Sequence, residues 1–270
     1  AFNTTDNNLK FYNGSAWTSI APGIANVVDD STPQLGGNLD ANGNSIVSVS
    51  NADIVIAPNG TGKVDINGNL DVDGGTIKLD GNYPTGTDNV ALGDTALDSV
   101  QAGGVCNVAI GDHALTENTT GDCNTAVGKN ALDSNTTASE SVAVGTNALA
   151  GNTTGSLNVA VGVNAMLENT TGKCNVGVGL ATLHCNQTGC MNVVMGVQAM
   201  RFNQTGCCNV AVGEKALCKN TTANNNVAIG AIALCSNTTG DQNTSVGYQS
   251  LCANTTGINN SAVGQQSLLG

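Results

Sequence analysis

The stretch Asn158-Val-Ala-Val-Gly-Val-Asn-Ala-Met-Leu-Glu-Asn-Thr-Thr-Gly-Lys-Cys174 is followed at once by a second copy of the same pattern, beginning at Asn175. Reading outward in both directions, copies start at Asn89, Asn107, Asn124, Ser141, Asn158, Asn175, Asn192, Asn209, Asn226, Asn243 and Asn260. The first spacing is 18 residues, every later one is 17, and the eleventh copy is cut short at Gly270. Helix-pair repeats need about 34 residues and propeller blades about 40 or more, so neither fits. One short coil of a solenoid does. The expectation is an all-β fold, a parallel β-solenoid or β-roll of 17-residue coils.

Composition agrees with order by repetition. Charged residues are 10% of the chain and aromatics 3%, too few for an ordinary globular core and surface. Yet 40% of residues are apolar and regularly placed, which argues against disorder. A net charge of −12 excludes nucleic acid as an expected partner, since phosphate binding needs clustered Lys and Arg. The chain has no apolar run of 18 or more residues, so no membrane insertion is expected. A basic region followed by an apolar one does not open it, so no signal peptide is read; the start at Ala1 and the cut repeat suggest a piece of something longer.

Three parts are expected: an amino-terminal module and linker over 1–45, a short strand-and-turn segment over 46–88, and the repeats over 89–270. Within 46–88, Asp65, Asn67, Asn69, Asp71 and Asp73 alternate like calcium ligands. Leu70 stands where such a loop needs Gly, and Thr76 where it needs Glu. Strands joined by Asn-Gly and Gly-Gly turns read better.

Each repeat position has an expected role. Position 5 is Gly in every copy, marking a turn with positive φ or a close backbone approach. Position 12 is Asn118, Asn135, Asn152, Asn169, Asn186, Asn203, Asn220, Asn237 and Asn254, a candidate ladder of stacked amides at the second corner. These Asn-x-Thr triplets match the glycosylation pattern, but glycans about 4.8 Å apart could not stack. In the strand at positions 2–4, positions 2 and 4 share a face and position 3 takes the other. Position 3 is Ala, Gly, Val or Ser throughout, which suggests that its face is covered by another chain. So thin a core invites several chains to pack together, and a parallel homotrimer is expected.

The ten cysteines follow the repeat: Cys218, Cys235 and Cys252 share position 10, and Cys106, Cys123, Cys174 and Cys208 each precede a copy. Free, buried thiols filling ladder slots are expected, with assembly in a reducing cytoplasm. His184, Cys185, Cys190, Cys207 and Cys208 cluster with Met191, Met195 and Met200, ligand types that soft metals favour. No CxxC pairing is present, and ladder packing accounts for the thiols, so neither metal nor cofactor is expected. His113 and His184 are the only histidines, and no Ser-His-Asp set, carboxylate pair or phosphate loop is recognisable. No enzyme is expected.

The Asn-Val-Ala-Val-Gly-x-x-Ala core resembles the head repeats of YadA-type trimeric autotransporter adhesins. The longer form, with Ala-Leu-x-x-Asn-Thr-Thr-Gly, is similar to repeat arrays in bacteriophage tail fibres, notably those of marine phages. Phe2-Asn-Thr-Thr-Asp-Asn-Asn-Leu-Lys-Phe-Tyr-Asn-Gly-Ser-Ala-Trp17 and Asp29-Asp-Ser-Thr-Pro-Gln-Leu-Gly-Gly-Asn-Leu-Asp-Ala-Asn-Gly43 resemble modules of the same fibres. The resemblance implies a trimeric shaft in a virion that partners other tail or fibre proteins and projects or contributes to host attachment. The alternatives are an adhesin head on a bacterial surface and, remotely, an ice-binding solenoid. Contacts with a host glycan or protein would use the variable positions 6, 7, 10 and 11, where His184, Arg201, Phe202, Lys215, Lys219 and Tyr248 stand out.

Overall fold

The computed structural model describes residues 2–3, 8–12, 15, 17–20, 67 and 87–269. Two units emerge, Ala1–Asp71 and Val72–Gly270. The first holds an antiparallel three-stranded sheet of β1 (Phe2–Asn3), β2 (Asn8–Tyr12) and β3 (Trp17–Ile20). The calcium-like stretch and the expected strands around it lie outside the described residues, Asn67 excepted.

The described residues of the second unit, 87–269, form a parallel β-solenoid. Its eleven strands run from β4 (Val90–Leu92) to β14 (Ser261–Val263), three residues each, in unbroken sequence order. Register follows the repeat: Val159 pairs with Val176, Ala160 with Gly177 and Val161 with Val178. Bonding between coils continues beyond the strands. The amides of Gly162, Asn164, Met166 and Glu168 donate to the carbonyls of Val144, Thr146, Thr182 and His184 in the coils below and above. Each short coil thus satisfies its backbone through its neighbours, which is why a 17-residue unit needs the stack.

The interior is narrow and layered. It holds the position 3 side chains, the Ala, Thr or Ser at position 8, the Leu or Met at position 9, and two columns of Asn at positions 1 and 12. The strands read half-buried, buried, half-buried or exposed, so position 3 points inward and positions 2 and 4 point out. This corrects the expectation that another chain covers position 3. Ala160 has no exposed surface within a single chain. The lumen itself demands the small residue, since Leu149 and Met166 already fill it. Leu92 (49% exposed) and Met195 (46%), with Ile110, Val144 and Ile229, form an outward aliphatic stripe instead.

The turns are strained more often than the glycines suggest. Gly162 has φ +134°, as position 5 requires, and a Cβ there would lie 2.5 Å from the Gly179 carbonyl oxygen. Positions 7, 9 and 17 also have positive φ without being Gly, for example Asn147 (56°), Leu149 (52°) and Leu157 (63°). Asn adopts this region readily and Leu does not, at a cost of about 1–2 kcal/mol per residue. Burial of the Leu149 side chain and the bond from its amide to the Ala165 carbonyl (3.0 Å) hold that conformation.

Candidate functional site

The repeat presents its side chains as columns, so any site is a column or a departure from one. At position 12, Asn169 Nδ2 donates to Asn152 Oδ1 (2.7 Å) and to the Gly172 carbonyl (2.9 Å), while Asn169 Oδ1 accepts from Asn186 Nδ2 (2.7 Å). The column runs from Asn118 through Asn135, Asn152, Asn169, Asn186, Asn203, Asn220 and Asn237 to Asn254. All but Asn254 are fully buried. Buried amides engaged in this way cannot carry glycans in the folded rod.

A second buried ladder, at position 1, was not read from the sequence. Asn175 Nδ2 donates to the Gly189 carbonyl (2.8 Å), and its Oδ1 accepts the Asn192 backbone amide and Nδ2, both at 3.0 Å. The repetition of Asn at position 1 was its only signal. A shorter third column joins Asn130, Asn147 and Asn164 at position 7.

Losing one rung leaves polar groups unpaired in a dry interior. Asn169→Ala strips the partners from Asn152 Oδ1 and from one Asn186 donor. A loss of about 1–3 kcal/mol is expected, read as a lower denaturant midpoint. An unchanged midpoint would show that the ladder contributes nothing.

The threonines at position 13 turn their hydroxyls along the rod: Thr119, Thr136 and Thr153 donate to the carbonyls of Thr136, Thr153 and Thr170. Position 14 (Thr120, Thr137, Thr154, Thr171) is then the one exposed threonine column at this corner. Ice recognition would need a flat array of two such columns.

Most cysteines are not buried, contrary to expectation. Cys106, Cys123, Cys174 and Cys208 are exposed, Cys218 alone is buried, the other five lie between, and all ten are free thiols. Position 17 turns outward because its backbone is left-handed, as at Cys174 (φ 59°). The Cys190 and Cys207 thiols share a hydrogen bond, Sγ to Sγ 2.9 Å. That bond, then burial, push the Cys190 thiol up to about 11. At pH 8 an alkylating reagent should therefore modify Cys106, Cys174 and Cys208 well before Cys190. Peptide mass spectrometry of a time course reads the order. Modification of Cys190 as fast as that of Cys174 would contradict it.

The six candidate contact residues do not form one surface. Positions 6 and 7 (Tyr248, Lys215) and positions 10 and 11 (His184, Arg201, Phe202, Lys219) are separated along each coil by the buried pair at 8 and 9. Lys215 Nζ lies 3.4 Å from Glu214, and the Arg201 guanidinium carbon lies 5.2 Å above the Phe202 ring. Phe202 and Tyr248 are exposed, whereas His184 and Arg201 are half-buried. A shallow groove runs beside positions 10 and 11, lined by Asp133, Ser134, Ala150, Gly151, Leu167, Glu168, Thr170 and Gln187.

The fold and these columns define a repetitive β-solenoid scaffold. No protein-family model matches the chain, and comparison with curated proteins and with solved structures finds no match.

Proposed function

We propose that this chain is a structural shaft segment of a bacteriophage tail fibre, assembled as a parallel homotrimer and contributing to host attachment. The observation that carries the reading is the outward aliphatic stripe at position 4, repeated from Leu92 to Val263, with Val at most copies of position 2 beside it. An apolar column sustained over eleven coils, about 50 Å at strand spacing, is costly to leave in water. Identical chains in parallel register bury it rung against rung, and cyclic symmetry closes the contact. The sequence resemblance to fibre repeats supplies the viral setting, and no catalytic role is assigned.

In this reading Phe202 and Tyr248 are exposed aromatic contacts for a host glycan or protein, with Arg201, His184, Lys215 and Lys219 as polar companions. Antibodies raised against residues 89–270 test the assignment when applied to particles and cells of the source culture. Gold label on virion tails is the expected result. Label confined to the outer surface of intact bacteria would move the chain to the adhesin class.

A further inference from the structure

At the variable positions 10 and 11, one place on the rod brings three metal-ligand side chains together. Position 10 becomes His184 and position 11 becomes Cys185, and directly below in the preceding coil position 11 is Glu168. His184 Nδ1 lies 3.5 Å from Cys185 Sγ and 3.9 Å from Glu168 Oε1, and one donor atom of each residue lies within 4.8 Å of the others. Among the described residues, this is the one group of three such donors so close together.

We propose that Glu168, His184 and Cys185 form a binding site for a divalent transition ion of zinc's class, with a fourth position open to water. The distances suit that ion. Bond lengths of about 2.3 Å to sulfur and 2.0–2.1 Å to nitrogen place tetrahedral S and N donors about 3.5 Å apart. The separation of His184 Nδ1 and Cys185 Sγ is 3.5 Å. The carboxylate needs to close on His184 by about half an ångström, from a side chain that is half exposed, and it already lies within 4.8 Å of the Cys185 sulfur. Carboxylate and thiolate together match the charge of a divalent ion, and a mixed N, S and O set suits zinc better than calcium or magnesium.

The backbone holds the set in place. The Glu168 amide donates to the His184 carbonyl (2.9 Å), fixing the two coils in register, and the Cys185 amide donates to the Arg201 carbonyl (2.9 Å). The His184 side chain is only 17% exposed, while Glu168 lines the open groove, so an ion has shielded ligands and an entry path. Burial, then the Glu168 carboxylate, hold the Cys185 thiol up, favouring its protonated form. A bound ion takes the thiolate and sends that one proton to solvent. The Arg201 charge in the next coil favours the thiolate as well.

Cobalt(II), added to the reduced full chain, is the probe. One ion per chain is expected, with tetrahedral visible bands and a thiolate charge-transfer band, accompanied by proton release. Cys185→Ser should remove the charge-transfer band, and His184→Ala the tetrahedral spectrum. Glu168→Gln should weaken binding at least about tenfold. Circular dichroism controls for folding, and these columns already accept Thr116, Asp133, Leu167 and Ser134 in other coils. The double variant Cys190→Ser, Cys207→Ser should bind as the wild type does. Absence of a tetrahedral spectrum, or its loss only in that double variant, would overturn the site.

Discussion

Replacing Ala160 by Glu unfolds the middle of the rod. Ala160 has no exposed surface and packs in the continuous core that includes Ala143, Ala165 and Met166. A carboxylate there has neither room nor a cation, and an unpaired buried charge costs several kcal/mol even after relaxation. The cost falls on folding as well as assembly, because the position lies inside one chain. We expect loss of about 5 kcal/mol or more and a β-sheet signal that fails to form at ordinary temperature. Exposed Thr146, at position 6, serves as the control, and Thr146→Glu should melt with the wild type. An Ala160→Glu protein that keeps its sheet signal and loses only self-association would return position 3 to an interface.

Gly162→Ala should be nearly as damaging. The glycine sits at φ +134°, a conformation side chains rarely adopt, and its new Cβ would meet the Gly179 carbonyl oxygen at 2.5 Å and carbon at 2.8 Å. The two coils cannot separate to relieve the clash, because the Gly179 amide donates to the Val161 carbonyl (2.8 Å) and their strands pair at Val159, Ala160 and Val161. Backbone strain and overlap together should cost about 3 kcal/mol or more. Gly103→Ala gives the comparison: its Cβ would meet Thr120 side-chain carbons at 3.4 Å, ordinary contact. Equal denaturant midpoints for the two variants would remove the close approach at position 5 as a determinant of the fold.

The fold was legible because periodicity survives every local substitution. A return of Gly at position 5 and Asn at position 12, at 17-residue spacing in all but the first copy, admits a stack of coils and little else. Which strand face is interior was not legible from alternation, since both faces are uncharged. Only the width of the lumen decides it, and width depends on how Leu149 and Met166 fill the coil. The left-handed turns at Leu149 and Leu157 carry no propensity signal, for tertiary burial and cross-coil bonds impose them. Those same turns bring Cys174 outward, so the buried-thiol reading failed on backbone geometry rather than on side-chain chemistry. At the metal-ligand cluster, His184 and Cys185 were visible as unusual residues. Glu168 was not, because it joins them only through the vertical stacking of one coil on the next.

The outward aliphatic stripe at position 4 carries the account of a trimeric shaft, and mass in solution tests it most directly. Light scattering on the purified wild-type chain should give three times the chain mass, independent of dilution over a wide range. Val193→Glu with Met195→Glu places two charges on exposed positions of one strand, where the single-chain fold tolerates them. That variant should show the mass of one chain while keeping the β-sheet signal. A wild-type chain that is folded and monomeric, with Leu92 to Val263 open to water, would contradict the shaft assembly.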